Sequence, residues 1–203
     1  MTPGVGFLRR TFDVLTASAG LVLLAPLLVI IAVLIRLSDG GPALFRQTRV
    51  GEGGEPFTLC KFRSMRTATS GPQVTSASDG RVTRMGRVLR RSSLDELPQL
   101  VNVLRGDMTL VGPRPETLPL AARYPDAYRW VFDYRPGLTG PTQIRFRDLA
   151  VLGSDADPER YYLEVLVPAR VRCDLTYLAD PSMAATLRVI WQTVRYLLGT
   201  RID

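Results

Sequence analysis

The sequence predicts a mainly helical α+β protein with a re-entrant membrane helix at its N-terminus and a small domain on the cytoplasmic face of the membrane. Three observations predict this fold class. Residues 14–35 carry no charged side chain, two β-prone runs flank a glycine-bearing connection at residues 51–55, and much of the remaining chain shows helical spacing of apolar residues. With 203 residues, the chain has room for one compact domain, placed at 41–203, and an anchor at 1–40.

The uncharged segment at 14–35 is long enough to be a membrane helix. As a helix it would extend about 33 Å, which matches the hydrocarbon core of a bilayer. A cleaved signal peptide is disfavoured, because the apolar stretch is too long and no small-residue cleavage site follows it. A buried helix of a soluble domain is the remaining alternative.

Two features predict that this helix enters and leaves the membrane on the same side. Pro26 lies near its middle, where a proline removes one helical hydrogen bond and bends the axis. Both flanks are basic, with arginines at Arg9, Arg10, Arg36, Arg46 and Arg49. Because basic flanks favour the cytoplasmic side, we expect a helix–break–helix structure interrupted at Ala25 and Pro26.

The residues after the anchor predict a short β-hairpin and then helices. The runs "PALFRQTRV" and "EPFTLCKFRSM" are β-prone and are joined by "GEGGE". Residues 81–105 have a helical pattern whose candidate buried positions are Val88, Leu89, Leu97, Leu100, Val101 and Leu104. A C-terminal apolar stripe consists of Leu187, Ile190, Trp191, Val194, Leu197 and Leu198. This stripe predicts an amphipathic helix that either packs on the core or lies at the lipid surface.

The composition narrows the possible chemistry. Lysine and arginine outnumber aspartate and glutamate by 26 to 19, and Lys61 is the only lysine. Guanidinium groups suit phosphate, so we expect nucleotides, phospholipid headgroups or nucleic acid as partners, although a GC-rich genome would also favour arginine. The chain has no histidine, which excludes the usual Ser-His and Cys-His nucleophile pairs and leaves carboxylates, hydroxyls and arginines for catalysis.

Asp95 and Glu96 are the main candidates for catalytic residues. Ser93 and Glu96 have the spacing of a capping box, which alone would explain the acidic pair as a helix start. Adjacent residues on a helix point about 100° apart, so the pair cannot flank one glycosidic bond as in a hydrolase. One carboxylate can instead attack phosphorus while its neighbour holds a metal ion.

Arginines surround this pair in the sequence. Five of them precede it, at Arg81, Arg84, Arg87, Arg90 and Arg91. Arg114 follows it in "GPRPE", where Pro113 and Pro115 restrict the backbone. These arginines suit a diphosphate, and solvated surface charge is the alternative explanation for most of them.

The motifs of this chain resemble those of the bacterial sugar transferase family, the monotopic polyprenyl-phosphate phosphoglycosyltransferases. The matching stretches are "RRTFD", "FRQTRVG", "KFRSM", "RVTRMGRVLRRSSLDELPQLVNVLRGDMTLVGPRPE" and "YRPGLTGPTQI". They cover nearly the whole chain in order, with little to match at 153–183. The family commonly has serine before the proline of the anchor, where this chain has Ala25, and a bulky residue where this chain has Pro141.

The resemblance implies a two-step transfer at the cytoplasmic face of the bacterial inner membrane. Asp95 would attack the sugar-bearing phosphate of a nucleotide diphosphate sugar, and Glu96, with Asp95, would bind Mg²⁺. A polyprenyl phosphate, undecaprenyl phosphate in bacteria, would then accept the sugar phosphate, as the first membrane step in the assembly of an exopolysaccharide, capsule, O-antigen or glycoprotein glycan. A UDP-sugar is the expected donor.

The resemblance also assigns roles around the pair. Arg90 and Arg114 match arginines near the phosphates, and Pro113 and Pro115 match the family's proline-arginine-proline stretch. Lys61 and Arg63 match a substrate-site motif whose role is architectural. Membrane lipids are expected partners, and assembly into a homo-oligomer is compatible with these residues.

A membrane-tethered module that binds nucleic acid or anionic lipid is the alternative function. The net charge of +7 and the arginine runs favour it. No nucleic-acid motif accompanies them, and such a module would leave Asp95 and Glu96 without a role. We therefore expect an enzyme that has no nucleic-acid partner.

Overall fold

The computed structural model describes residues 6–66, 80–146 and 158–199. Its first helix, α1, spans Phe7–Asp39 and continues through Pro26 without interruption. The predicted helix–break–helix form, with a break at Ala25 and Pro26, was therefore wrong at the level of secondary structure. A proline removes one hydrogen bond, and the turns on either side of it supply enough hydrogen bonds to continue a long helix. The re-entrant path of α1 stays a prediction.

Most of α1 is exposed, so it is not a buried core helix. By length and composition it could cross a membrane, and only 11% of its most apolar part is buried. Its buried side chains nevertheless occur in both halves. Ala17 belongs to the main core, whereas Ile31 and Ile35 pack with Phe62 and Leu89 in a second cluster. Both halves of the helix therefore contact the folded domain.

The predicted β-hairpin is confirmed. Strand β1 (Leu44–Val50) pairs antiparallel with β2 (Pro56–Phe62), and Leu44 lies opposite Phe62. The connection is a 3₁₀ turn, Glu52–Gly54, whose two glycines have positive φ. Glycine adopts this conformation without a Cβ clash, which explains the composition of the turn.

The helical region at 81–105 is divided into three elements rather than one. Helix α2 (Arg84–Ser92) is followed by a 3₁₀ segment (Leu94–Gln99) and helix α3 (Leu100–Arg105). Ser93 has a φ of 58° and, within the described residues, makes no side-chain capping hydrogen bond. The predicted capping box of Ser93 and Glu96 was therefore wrong, because the left-handed Ser93 ends α2.

The predicted buried face of this region is only partly correct. Leu89 and Leu100 are buried, but Val88 is 59% exposed. The reason is the position of α1, since Ile31 and Ile35 pack on the face of α2 that carries Leu89. Val88, one residue earlier, points about 100° away from that face.

The rest of the domain is mainly helical around a second small sheet, which agrees with the α+β prediction. Strand β3 (Thr109–Val111) pairs parallel with β4 (Gly137–Thr139). The remaining helices are α4 (Leu118–Ala122), a 3₁₀ helix (Asp126–Asp133), α5 (Pro141–Arg145), α6 (Pro158–Tyr161) with a π-helical turn (Tyr162–Leu166) leading into α7 (Val167–Leu178), and α8 (Met183–Leu197). The centre of the main core includes Val103, Met108, Val111 and Val167.

Helix α8 confirms the predicted C-terminal amphipathic helix. Val189 is buried and Ile190 packs against the core, whereas Leu187 and Leu198 are exposed and Trp191 is 63% exposed. Most of the apolar stripe therefore faces away from the core. This orientation favours the lipid-surface interpretation of the stripe over the core-packing one.

Asn102 on α3 fastens that helix to strand β2, and its removal should destabilise the domain. Its fully buried amide accepts a hydrogen bond from the Cys60 N–H (3.0 Å) and donates to the Thr58 carbonyl (2.7 Å) and Asp107 Oδ2 (3.0 Å). We expect Asn102→Ala to lower the free energy of unfolding by about 3 kcal/mol, because it leaves buried backbone groups unpaired. Denaturant unfolding in detergent measures this. Ser92→Ala, at an exposed site, is the control and should change it by less than about 0.5 kcal/mol.

Candidate active site

The 3₁₀ segment after Ser93 presents two adjacent carboxylates in different environments. Successive residues of a 3₁₀ helix point about 120° apart. Accordingly, Asp95 is 6% exposed whereas the side chain of Glu96 is 31% exposed. The two groups therefore cannot act symmetrically on one bond, and they suit a division of labour.

Arg114 lies beside this pair. Pro113 and Pro115 are buried on either side of it, while its own side chain is 45% exposed. Its Nη1 is 3.7 Å from Glu96 Oε1, which is an ion-pair distance and longer than a hydrogen bond. The buried prolines restrict the backbone and leave the guanidinium group accessible at the site.

Both sheets hold the Arg114 loop in place. From β4, the Gly137 N–H donates to the Pro113 carbonyl at 2.8 Å. From β1, the Val50 N–H donates to the Glu116 carbonyl at 2.9 Å. The loop is thus fixed by backbone hydrogen bonds on both sides of the arginine.

Lys61 adds a second cation at the site. It lies on β2, which packs against the 3₁₀ segment, and it interacts electrostatically with Asp95, Arg90 and Arg114. Burial lowers its pKa to about 8, the positive charge of Arg49 acts in the same direction, and Asp95 opposes both. The structure therefore places Lys61, Arg90 and Arg114 around the acidic pair.

Arg63, Ala25 and Pro26 were also predicted as site residues. Arg63 is buried, and a Cβ atom added to Gly41 would lie only 1.5 Å from its Nη1. Its guanidinium group is therefore packed against the backbone that leads into β1, which suits an architectural role. Ala25 and Pro26 lie in α1.

Arg49 is a residue of this site that the sequence interpretation treated only as a basic flank. Its Nη1 donates to the Pro115 carbonyl at 3.1 Å and lies 3.7 Å from Glu116 Oε1. It also interacts electrostatically with Arg114 and Glu96. Arg49 therefore holds the residue that follows Arg114 and adds to the positive charge of the site.

Glu116 was also missed, and it connects the Arg114 loop to the π-helical turn before α7 and, through it, to α7. Its buried carboxylate accepts hydrogen bonds from the hydroxyls of Tyr124 (3.2 Å) and Tyr162. Arg170 of α7 donates to the Tyr162 hydroxyl at 2.7 Å. Burial is the largest cause that raises the pKa of both Tyr162 and Tyr124, and the charge of Glu116 raises both further. Both tyrosines therefore keep their protons and act as hydrogen-bond donors.

Comparison with known proteins identifies the family. The family model described as "Bacterial sugar transferase" matches residues 5–200. The chain belongs to the bacterial sugar transferase family. The predicted family is confirmed, and so is the prediction of a phosphoglycosyltransferase enzyme. Together with the exposed apolar helix α1, the family makes this a membrane-associated protein.

Three relatives match this sugar transferase over nearly its whole length. The UDP-glucose:undecaprenyl-phosphate glucose-1-phosphate transferase of Caulobacter vibrioides is 44% identical over 95% of this chain and 70% of its own. The exopolysaccharide production protein PSS of Rhizobium leguminosarum is 38% identical over 92% of this chain and 93% of its own. The UDP-N-acetylgalactosamine-undecaprenyl-phosphate N-acetylgalactosaminephosphotransferase of Aeromonas hydrophila is 36% identical over 97% of this chain and 45% of its own.

The acidic pair of this sugar transferase is a suitable donor set for Mg²⁺. Within residues 6–66, 80–146 and 158–199, no group of three or more histidine, cysteine, aspartate or glutamate side chains could hold a metal ion. Mg²⁺ commonly binds through one or two carboxylates together with substrate phosphates and water. Asp95 and Glu96 fit that kind of site, which a diphosphate substrate would complete.

The pKa of Lys61 predicts a pH dependence. The ammonium group is charged below about pH 8 and neutral above it. If the ammonium group neutralises donor phosphates, the loss of its charge should lower kcat/KM for the donor about tenfold between pH 7 and pH 9. The ratio kcat/KM is the quantity to measure, because it reports ionisations of the free enzyme. Lys61→Arg should flatten that decline, since arginine stays charged. Superimposable pH profiles of the wild type and Lys61→Arg would contradict the prediction.

Proposed function

We propose that this sugar transferase moves a sugar 1-phosphate from a UDP-sugar to undecaprenyl phosphate and releases UMP. The names of two relatives support this donor and acceptor, since they include UDP-glucose or UDP-N-acetylgalactosamine together with undecaprenyl phosphate. Because the two sugars differ, we assign the class of donor and not its sugar. The relative named for exopolysaccharide production supports a role at the start of surface glycan assembly.

The observation that carries this proposal is the arrangement of Asp95, Glu96 and Arg114. A buried carboxylate lies next to a more exposed one that faces a guanidinium group. A carboxylate needs no general base to act as a nucleophile, which suits a chain without histidine. A diphosphate needs cations nearby, and Lys61 and Arg90 add to the one supplied by Arg114.

The transfer proceeds in two displacements at one phosphorus atom. An Asp95 carboxylate oxygen bonds to the sugar-bearing phosphorus, and the bond from that phosphorus to the bridging oxygen breaks, so that UMP leaves with the bridging oxygen. An oxygen of undecaprenyl phosphate then bonds to the same phosphorus and the bond to Asp95 breaks. The carboxylate is regenerated, and the product is an undecaprenyl diphosphate sugar.

The surrounding residues bind and orient the donor during both displacements. Arg114 and Arg90 bind its phosphate oxygens, and Pro113 and Pro115 hold the backbone of Arg114. Lys61, which lies on β2, and Arg63, which directly follows β2, support the site. Mg²⁺, held by Glu96 and Asp95, would supply further neutralisation of the diphosphate charge when bound. These contributions offset the repulsion between an attacking carboxylate and an anionic phosphate.

We further propose that α1 bends at Pro26, without a break in the helix, and so enters and leaves the membrane on the cytoplasmic side of the bacterial inner membrane. Asp13 near its start bonds to β3, and Ile35 near its end packs against Phe62 and Leu89 of the same domain. Contacts at both ends support a membrane anchor at 1–40 and a catalytic domain at 41–203 on one side. The exposed stripe of α8, with Trp191, would lie in the lipid headgroup region.

Intact-mass analysis with donor alone tests the covalent step. Purified enzyme in detergent with Mg²⁺ and UDP-glucose or UDP-N-acetylgalactosamine should gain the mass of one sugar phosphate and release one UMP per site. Addition of undecaprenyl phosphate should return the enzyme to its original mass. An unchanged mass with each donor that supports the complete reaction would overturn the covalent step, and release of no UMP with any UDP-sugar and undecaprenyl phosphate would overturn the proposed function.

A further inference from the structure

One turn of the membrane helix contacts the two elements next to the catalytic residues. Arg10 donates from Nη1 to the Val103 carbonyl (2.6 Å) and from Nη2 to the Leu104 carbonyl (2.8 Å), both in the last turn of α3. Carbonyls at the end of a helix lack partners further along the helix, so a fork of two donors suits them. Arg10 thus connects α1 to the C-terminal end of α3.

Asp13 makes the corresponding connection to β3. Its carboxylate is fully buried and accepts hydrogen bonds from the Thr109 hydroxyl (2.5 Å) and the Leu110 N–H (3.2 Å). Arg9, on the same turn, donates to the Val111 carbonyl. In the described residues β3 has β4 as its only partner strand, and these α1 side chains add further hydrogen bonds to it.

The two elements lead directly to the active site. Helix α3 continues from the 3₁₀ segment that carries Asp95 and Glu96. Strand β3 continues through Gly112 into the loop that carries Arg114. The first turns of the membrane helix are therefore bonded to both halves of the catalytic site.

We propose that Arg9, Arg10 and Asp13 form a latch that sets the height of the catalytic site relative to the bilayer, so that a lipid-borne phosphate reaches Asp95. The three are positioning residues, and the inference rests on the proposed function. Their role is distinct from that of the apolar contacts of α1, because apolar surfaces are non-directional. A slip of one turn would displace the helix by about 5.4 Å, and directional hydrogen bonds to buried partners exclude it.

Contacts that do not involve this latch hold the internal geometry of the site. The Arg114 loop is held by the N–H groups of Gly137 and Val50, and α3 is held to β2 by Asn102. None of these contacts involves α1. Loss of the latch should therefore leave the reaction with a water-soluble donor intact and impair the reaction with an acceptor whose phosphate lies at the membrane surface.

The two half-reactions test the proposal separately in enzyme reconstituted into lipid nanodiscs. The donor step is the burst of UMP from a UDP-sugar without acceptor, and the acceptor step is transfer from the preformed phosphosugar enzyme to undecaprenyl phosphate. Arg10→Ala and Asp13→Ala should keep the burst within about twofold of the wild type and slow the acceptor step about tenfold or more. The intact burst also demonstrates that the variants are folded.

Two further variants sharpen the test. Arg36→Ala removes the same charge from the exposed far end of α1 and should leave both steps within about twofold of the wild type. Asp13→Asn keeps an oxygen for the Leu110 N–H and gains an N–H for the Thr109 hydroxyl, so it should restore most of the acceptor step.

The possible failures are distinguishable. A parallel fall of both steps in Arg10→Ala and Asp13→Ala, or an unchanged acceptor step, would overturn the latch while leaving the proposed function in place. A wild-type enzyme that transfers no sugar phosphate from any UDP-sugar to undecaprenyl phosphate would overturn the proposed function and the latch with it.

Discussion

Asp95→Asn should lower the steady-state release of UMP by at least about a thousandfold. The substitution keeps the size of a side chain that is almost completely buried, so it opens no cavity. It replaces a carboxylate by an amide that cannot form the acyl phosphate, and removal of a catalytic nucleophile has effects of this size or larger. A coupled assay of UMP release with donor, Mg²⁺ and undecaprenyl phosphate measures it.

The matched control is the same change on the surface. Asp133→Asn, at an exposed position on the 3₁₀ helix Asp126–Asp133, should keep wild-type turnover. Asp95→Asn should also gain no sugar phosphate in intact-mass spectra. If Asp95→Asn turned over at the wild-type rate, Asp95 would not be the nucleophile, even though the family assignment would stand.

Arg114→Ala should lower kcat/KM for the donor about a hundredfold. The buried prolines on either side fix its backbone, and the ion pair with Glu96 places the guanidinium next to the acidic pair. A fixed donor aimed at developing negative charge contributes about 10²- to 10³-fold to catalysis when it can be removed singly. Initial rates at varied UDP-sugar concentration measure the loss.

Two variants calibrate this effect. Arg114→Lys keeps the charge but not the planar fork, so it should recover only part of the loss. Arg129→Ala removes an equal charge from an exposed position outside the described site and should leave kcat/KM within about twofold of the wild type. Equal values for Arg114→Ala and Arg129→Ala would show that Arg114 acts only through net charge.

Local patterns predicted several elements correctly. The hairpin and α8 followed from β-prone runs around a glycine turn and from the spacing of an apolar stripe, which are properties of neighbouring residues. The predictions that failed concern Val88, the Ser93 cap and the break at Pro26. The exposure of Val88 depends on how the distant helix α1 packs on α2. The other two outcomes are local: Ser93 has a left-handed φ that ends α2, and the turns beside Pro26 continue the helix across it.

The candidate site was likewise predicted from the sequence only in part. The sequence interpretation named Asp95, Glu96 and Arg114, and the structure brings these three together. Arg49 and Glu116 were present in the quoted motifs, but their roles were not recognised. Arg49 contacts the carbonyl of Pro115 across 66 residues, and no spacing rule relates positions so far apart.

The sequence by itself determined the chemical groups of this protein: an uncharged segment long enough for a bilayer, an acidic pair without histidine, and arginines suited to phosphate. Composition and short-range spacing specify these properties, because they belong to side chains and to single turns of the backbone. Only the tertiary structure decided which face of α2 is buried, which groups hold the Arg114 loop, and how Arg10 and Asp13 connect the anchor to the catalytic segments. Those contacts depend on how separate helices and strands pack, and packing distances cannot be read from separation along the chain.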